Sequence, residues 1–330
     1  MKYDIRTIKD ITRAALFGAA VGDALGVPVE FLSRKEVRAI SPTEMLGCDT
    51  PRTFSSRWGT LIPAGAWSDD TSMAVATMAS IAMNNGNIHF NDVMEQFCAW
   101  WGEGKYASID MPFGLGGVVS KALRNFTHGI PAINCGPTGF MDNGNGALMR
   151  IFPFSLYCIF HDLDTVTTVE LINNASGITH GHEISKMGCM FFTLYMKALI
   201  DGQDCKTAWE TARAFDYGRW YSDKAIDAYK NLLSPEFVNM DDTIIAENGY
   251  VVTTLTAAIY SMLHGHDYES TVLCAISMGY DTDTNAAVTG VLAGVYYGLD
   301  TLPTRWLNKL LNKECLMYLA NQFANAMNKA

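Results

Sequence analysis

The sequence predicts an all-α fold, a single multi-helix bundle domain over residues 1–330. Three observations predict it. Apolar residues recur at helical spacing in one segment after another. Runs that alternate apolar with polar residues, the mark of half-buried strands, are scarce. No Pro/Ser-rich linker or low-complexity stretch divides the chain, and no repeat of fixed period is visible.

The elements follow in order. Ile8 to Leu25 reads as a first helix that stops near Gly26 and Pro28. Ser68 to Asn84 reads as a second, rich in Ala and Met and closed by Asn-Asn-Gly. Helices are then expected over Asn91–Trp101, Gly146–Phe160, Leu163–Ser176, Glu183–Ile200 and Lys206–Phe215. Gly249–Leu263, Ser270–Met278, Asn285–Tyr297 and Pro303–Ala324 complete the set. The least helical stretch, Ser33 to Trp67, carries Pro42, Pro51 and Pro63; a loop of that length is uncommon unless it is functional. Gly102 to Gly117 is a second irregular, Gly-rich stretch.

Composition limits the function. Half of the 330 residues are apolar (49%), enough for one large core, and the formal net charge is -10. An acidic balance argues against a broad nucleic-acid surface, which needs clustered Lys and Arg. It leaves room for an anionic ligand, because a local site can reverse the global sign. The first residues lack the basic-then-apolar order of a secretory signal, and no charge-free run reaches the ~18–20 residues needed to span a membrane. The 8 cysteines are widely and irregularly spaced with no C-x-x-C pair, so buried free thiols in a reducing cytoplasm are expected.

Chemistry concentrates in a few segments. Trp67-Ser68-Asp69-Asp70-Thr71 opens a predicted helix. Gly279-Tyr280-Asp281-Thr282-Asp283-Thr284-Asn285 opens another. Each taken alone is ordinary helix-start chemistry, a cap with acidic residues favoured by the helix dipole. Yet Asp281 and Asp283 alternate with hydroxyls to give a dense set of hard oxygen ligands. Such a group repels itself, so a cation such as Mg²⁺ is its natural partner. Asn143-Gly144-Asn145-Gly146, before Ala147-Leu148-Met149-Arg150, reads either as a plain turn or as a loop whose amides hold phosphate oxygens. Glu30 lies just past the first helix in an apolar setting that suits a proton acceptor, or else is a solvated loop residue. Ile178-Thr179-His180-Gly181-His182-Glu183 has no third His or Cys at zinc spacing, so a ligand contact or a helix start is expected there.

These segments, GAAVGDALGVPVEF, WSDDTSMA, NGNGALMR, ITHGHE, GYVVTTL and GYDTDTNAA, lie in this order between Ile11 and Gly298. In that order they resemble the ADP-ribosylglycohydrolase family, including its bacterial dinitrogenase-reductase-activating members. The resemblance implies a compact all-α fold and a site for two Mg²⁺ ions, with Mn²⁺ as an alternative. It implies Ser68, Asp69, Asp70, Asp281, Asp283 and Thr284 as metal ligands. It places Asn143, Gly144, Asn145 and Gly146 along the diphosphate and ribose, and His180 and Tyr250 against ADP-ribose. It matches Asp110 to an acidic position that would pair with a cationic leaving group. Two segments depart from the family pattern: Gly-Tyr-Asp stands where Gly-Gly-Asp is commoner, and Ile109-Asp110-Met111-Pro112 where Asp-Ile-Gly is usual.

The activity then expected is hydrolysis of the bond between C1 of the distal ribose and a protein side chain, arginine in the first instance. Carboxylates stabilise the positive charge that develops at C1. Glu30, Asp70 and Asp283 are the candidates for catalysis, one of them taking the proton of the attacking water. The partner is an ADP-ribosylated protein or a small ADP-ribosyl compound. Two other readings compete. One is an inactive ADP-ribose binder or structural protein of the same fold, in which loss of aspartates would be expected; Asp69, Asp70, Asp281 and Asp283 are all present. The other is an HD-type metal phosphohydrolase, for which His161-Asp162 and His266-Asp267 supply the dipeptides but no partner histidine.

Overall fold

The computed structural model describes residues 3–48 and 61–328. Sixteen α-helices follow one another there. They are α1 (Ile5–Gly26), α2 (Arg34–Ile40), α3 (Asp69–Met83), α4 (Phe90–Glu103), α5 (Gly117–Thr127), α6 (Phe152–Phe160), α7 (Thr165–Gly177) and α8 (Glu183–Ile200). Then come α9 (Cys205–Arg213), α10 (Asp223–Ala228), α11 (Lys230–Leu233), α12 (Val251–His264), α13 (Tyr268–Ile276), α14 (Thr282–Tyr297), α15 (Thr304–Lys309) and α16 (Lys313–Met327). Among the described residues there is no strand, only an isolated antiparallel bridge between Gly144 and Tyr250. The fold is all-α, as the apolar spacing requires.

The centre of the bundle is the contact between α1 and α14. Gly18 and Gly22 on α1 are four residues apart, as are Gly290 and Gly294 on α14, so each helix presents a strip of bare backbone. A Cβ at Gly18 would fall 2.1 Å from the Gly290 carbonyl oxygen, and one at Gly22 2.1 Å from that of Ala286. At Gly26 it would reach 2.3 Å from the Asp283 Cα. The Thr282 hydroxyl donates to the Gly26 carbonyl at 2.9 Å, and Tyr268 Oη to that of Gly18 at 2.7 Å. The C-terminal end of α1 is thereby pinned to the N-terminal end of α14. Gly22→Ala is expected to destabilise the protein by at least about 3 kcal/mol, because the added methyl meets rigid backbone. Urea unfolding measures this; an unchanged midpoint would contradict so close a crossing.

Nearly every residue of α1 from Ala14 onward is buried, as are the first thirteen residues of α3 and of α14. No single described helix is long and apolar enough to cross a membrane. Cys135, Cys158 and Cys189 are buried free thiols as expected, whereas Cys48 is exposed and the other four are half-buried.

The structure departs from the expected elements where a backbone group finds a better partner. The helix expected from Gly146 begins as a 3₁₀ turn, Asn145–Arg150, and becomes α-helical only at Phe152, where Pro153 lies in the first turn. The helix expected over Pro303–Ala324 is two. Between α15 and α16, Leu311 donates to the Gly65 carbonyl and accepts from the Trp67 indole, and Asn312 turns left-handed. The irregular stretch Ser33–Trp67 contains α2, started by a Ser33–Glu36 capping box. Its central part, 49–60 with Pro51, lies outside the described residues. Helix α5 begins at Gly117, the end of the expected irregular stretch, and was not itself among the expected helices.

Candidate metal centre and ligand cavity

The N-termini of α3, α5 and α14 open onto one cavity of about 300 Å³. Helix N-termini carry unsatisfied amides and partial positive charge, which lets acidic side chains gather there. Asp69 and Asp70 come from the first turn of α3, and Asp281 and Asp283 from the start of α14. Glu30 ends the short 3₁₀ turn Val27–Val29 that follows α1. One oxygen each of Asp23, Asp70 and Asp283 lie within 4.8 Å of one another, and so do one each of Glu30, Asp281 and Asp283. Asp283 belongs to both groups. Two acidic segments more than 200 residues apart in sequence thus share one centre.

Asp23 is the member that sequence reasoning missed. It lies in the small-residue run of α1 and is fully buried. Its carboxylate accepts from the Ser68 amide at 2.9 Å, the Thr71 amide at 3.1 Å and the Thr71 hydroxyl at 2.7 Å. A residue of α1 therefore caps α3. The only available signal was an acidic residue inside a Gly/Ala run where packing alone would call for an apolar one.

The electrostatics are those of crowded, dry carboxyls. Burial pushes Asp23 up to about 6. Asp69 is pushed up to about 8, by burial first and then by repulsion from Asp23 and Asp281. Burial raises Asp70 well above the ordinary carboxylate range, with Asp23 and Asp69 adding repulsion. Asp283 is raised by burial, then by Glu30 and Asp70. The donor set fits a hard divalent cation. Only oxygens converge, and Asp70 Oδ1 is buried with no partner among the described residues. Asp70 Oδ2 accepts from the Ser68 hydroxyl at 3.0 Å and the Thr284 hydroxyl at 3.3 Å. Ser68 and Thr284 thus stand beside Asp70 in the acidic group. Asp69 packs directly against Gly114, where any Cβ would fall 2.2 Å from its Oδ1.

The opposite wall is the Gly-rich loop and His180. Gly144, Asn145, Gly146 and His180 all line the cavity. Asn145 is turned to the carboxylates: its Nδ2 donates to Asp281 Oδ2 at 2.7 Å and Thr254 Oγ1 at 2.9 Å, and its backbone amide donates to the Gly249 carbonyl. Its side chain positions Asp281. Asn143 is a buried strut, accepting from Ser185 Oγ and donating to the Phe140 carbonyl. Beside Gly144 and Gly249 the cavity adjoins a shallower hollow of about 370 Å³ walled by Phe140, Met141 and Tyr250. Tyr250 belongs to this hollow rather than to the acidic cavity. Asp110 is exposed on the bend before α5 and lines neither.

Two aromatic residues stand at the rim. Phe31 follows Glu30, and Tyr280 precedes Asp281. Both have left-handed backbones, with φ of 65° and 60°. That conformation is uncommon for bulky residues and persists only where the surroundings enforce it. Here the Phe31 amide donates to the Tyr280 carbonyl at 2.5 Å and the Tyr280 amide to that of Leu32 at 2.7 Å. The rings meet edge to face with centroids 5.7 Å apart.

The remaining motifs serve local structure. His182 caps α8, its Nδ1 accepting from the Ile184 amide, and Glu183 accepts from the Ser222 amide. Asp267 caps α13 and His161 ends α6, so neither His-Asp dipeptide reaches the cavity.

The chain is 28% identical to the ADP-ribosyl-dinitrogen-reductase glycohydrolase of Rhodospirillum rubrum, over 92% of this chain and 91% of that protein. It is 29% identical to the ADP-ribosylarginine hydrolase Tri1 of Serratia proteamaculans, over 95% and 78%. A solved structure of an ADP-ribosylglycohydrolase-related protein complex superposes with a TM-score of 0.73 at 26% identity, covering 98% of this chain and 99% of the other. The ADP-ribosylglycohydrolase family profile spans residues 4–330, so the chain belongs to that family and is a hydrolase of glycosyl bonds.

Proposed function

We propose that this enzyme removes ADP-ribose from arginine side chains of modified proteins by hydrolysing the C1–nitrogen bond, and that it requires Mg²⁺, with Mn²⁺ as a substitute. The observation that carries this reading is the meeting of two distant acidic segments around Asp283, across a cavity from the Gly-rich loop and His180. Asp23, Asp70 and Asp283 would hold one ion, and Asp281 and Asp283 would face a second, with Glu30 beside them as the base. Asp69, Ser68 and Thr284 complete the oxygen set. Bound there, divalent cations would supply Lewis-acid stabilisation of developing negative charge. The chain's own groups do the rest. The loop wall takes the diphosphate and ribose, and the hollow beside Tyr250 and Phe140 takes the adenine ring. That placement brings C1 to the carboxylates, which stabilise its developing positive charge. As water adds to C1, its proton passes to a carboxylate, Glu30 first in line. The bonding pair of the breaking C1–N bond leaves with the guanidine nitrogen.

The linkage is argued from the rim. Phe31 and Tyr280 set aromatic surface directly beside Glu30 and Asp281. A planar, weakly hydrated guanidinium suits stacking against rings beside carboxylates better than a neutral serine hydroxyl does. The similar Serratia protein is named for arginine-linked substrate. Arginine-linked ADP-ribosyl peptides are therefore expected to be cleaved at least about tenfold faster than serine-linked ones in kcat/KM, and only with Mg²⁺ or Mn²⁺ present. Faster release from serine-linked peptides under matched conditions would overturn the linkage. Unchanged release in EDTA would overturn the metal. A cytoplasmic location is part of this proposal, supported by the free thiols, which suit a reducing compartment.

A further inference from the structure

A cavity rich in carboxylates is a poor host for a diphosphate unless its far wall supplies positive charge. Arg150 is buried to 0% exposure, yet no carboxylate pairs with it among the described residues. Its Nη2 donates to the Ala175 carbonyl at 3.0 Å and to Thr179 Oγ1 at 2.5 Å, while Nε and Nη1 find no partner. The guanidinium lies over the Phe97 ring at 5.2 Å. An isolated buried cation is costly to hold and calls for a reason.

Thr179 connects it to the cavity. The Thr179 hydroxyl already accepts from Arg150, and its one other hydrogen-bond contact among the described residues is His180 Nδ1 at 3.0 Å. A guanidinium has no lone pair to accept a hydrogen bond. The buried hydroxyl proton therefore has Nδ1 as its acceptor, and the ring proton is assigned to Nε2 from this network. The Nε2 edge lies against Gly144 and Gly146, on the cavity side. Burial, then the Arg150 charge, push His180 down to about 3, so the ring is neutral at any working pH.

We propose that Arg150 and Thr179 are positioning residues for His180. They fix its ring as a neutral Nε2–H donor and back the loop wall with a buried positive charge, so that a diphosphate binds opposite the carboxylates. The ligand half rests on the ADP-ribose reading above; the ring half does not.

The test reads the ring first. Long-range proton–nitrogen NMR of the metal-free wild type should show the His180 imidazole as the Nε2–H tautomer between pH 6 and 8 (roughly the window in which a free histidine titrates). Thr179→Val should mix or reverse the tautomer, and Thr179→Ser should restore it. Calorimetry should show ADP-ribose bound about tenfold more weakly by Thr179→Val than by wild type, with Thr179→Ser recovering the loss and adenosine unaffected. Turnover should follow as a raised KM with kcat retained. Arg150→Met should weaken ADP-ribose and inorganic pyrophosphate alike, with Arg150→Lys recovering part; should Arg150→Met fail to fold, the Thr179 pair decides. An Nδ1–H ring in the wild type, or a tautomer indifferent to Thr179→Val, overturns the proposal. A tautomer that shifts while ADP-ribose affinity stays constant overturns its ligand half. Failure of the proposed activity is a separate result, seen as no ADP-ribose release by the wild type.

Discussion

Glu30→Gln is expected to lower kcat by about 10²–10⁴-fold, the usual contribution of a positioned general base, while leaving ADP-ribose binding largely intact. Glu30 is only 7% exposed, at the end of the turn that α1 delivers to the start of α14. One of its oxygens lies within 4.8 Å of oxygens on Asp281 and Asp283. Asp23, Asp70 and Asp283 crowd together in the other group, and Asp70 already accepts two hydroxyls. In the proposed mechanism Glu30 is therefore the carboxylate that takes the water proton. Glutamine keeps its length and hydrogen-bonding shape but cannot accept the proton. The variant should retain the metal-dependent rise in melting temperature, which separates a lost base from a lost ligand. Near wild-type turnover would move the base to Asp70 or Asp283. Loss of the metal-dependent rise would make Glu30 a ligand instead.

Legibility followed residue type. The Asp69-Asp70 and Asp281-x-Asp283 clusters stood out because close carboxylates at two helix starts exceed what capping needs. Asp23 did not. It sits in a Gly/Ala helix whose spacing speaks of close packing, and only the packing of α1 beneath the start of α3 brings it to Ser68 and Thr71. Asn145 was legible as a loop residue, but its side chain serves Asp281, which needs a partner 136 residues away. Asp110 shows the converse: an acid in a Gly-rich stretch is visible in sequence, whereas the direction of its bend is set by the packing around it. Helix positions were legible wherever spacing was strong. The split at Leu311 was not, because it depends on backbone groups satisfied by Gly65 and Trp67; at Pro153 the proline itself was the signal for a new helix start. The rim is intermediate: Tyr280 in place of a glycine was visible, but not that Phe31 would share its left-handed backbone and meet its ring.

The metal-free protein is expected to lose stability as pH rises from about 5 to 8, and Mg²⁺ is expected to reverse that slope. The sign follows from the carboxyls. Asp23 at about 6 and Asp69 at about 8 are raised by burial above an unfolded value near ~3.9. A raised group contributes stability that is full below its unfolded value and is lost as pH climbs through the folded one. Without metal, deprotonation leaves buried charges facing one another, and Asp70→Asn or Asp283→Asn should flatten the slope and match or exceed wild-type stability near pH 8. With Mg²⁺ the wild type gains RT ln(1 + [L]/Kd), about 2.7 kcal/mol at a hundredfold excess over Kd. That gain grows with pH, because the ligands must be ionised and binding displaces their protons. Each single variant should forfeit most of it, and the double variant little more than either single, since both residues serve one centre. Helix caps acting separately would behave otherwise: each loss would be about 0.5–2 kcal/mol, independent of Mg²⁺, and the two would add. Thermal unfolding of the four proteins in EDTA and in Mg²⁺ across this pH range distinguishes the cases. A wild-type midpoint indifferent to Mg²⁺ at pH 8, or additive losses, would show that Asp70 and Asp283 share a cavity without sharing an ion.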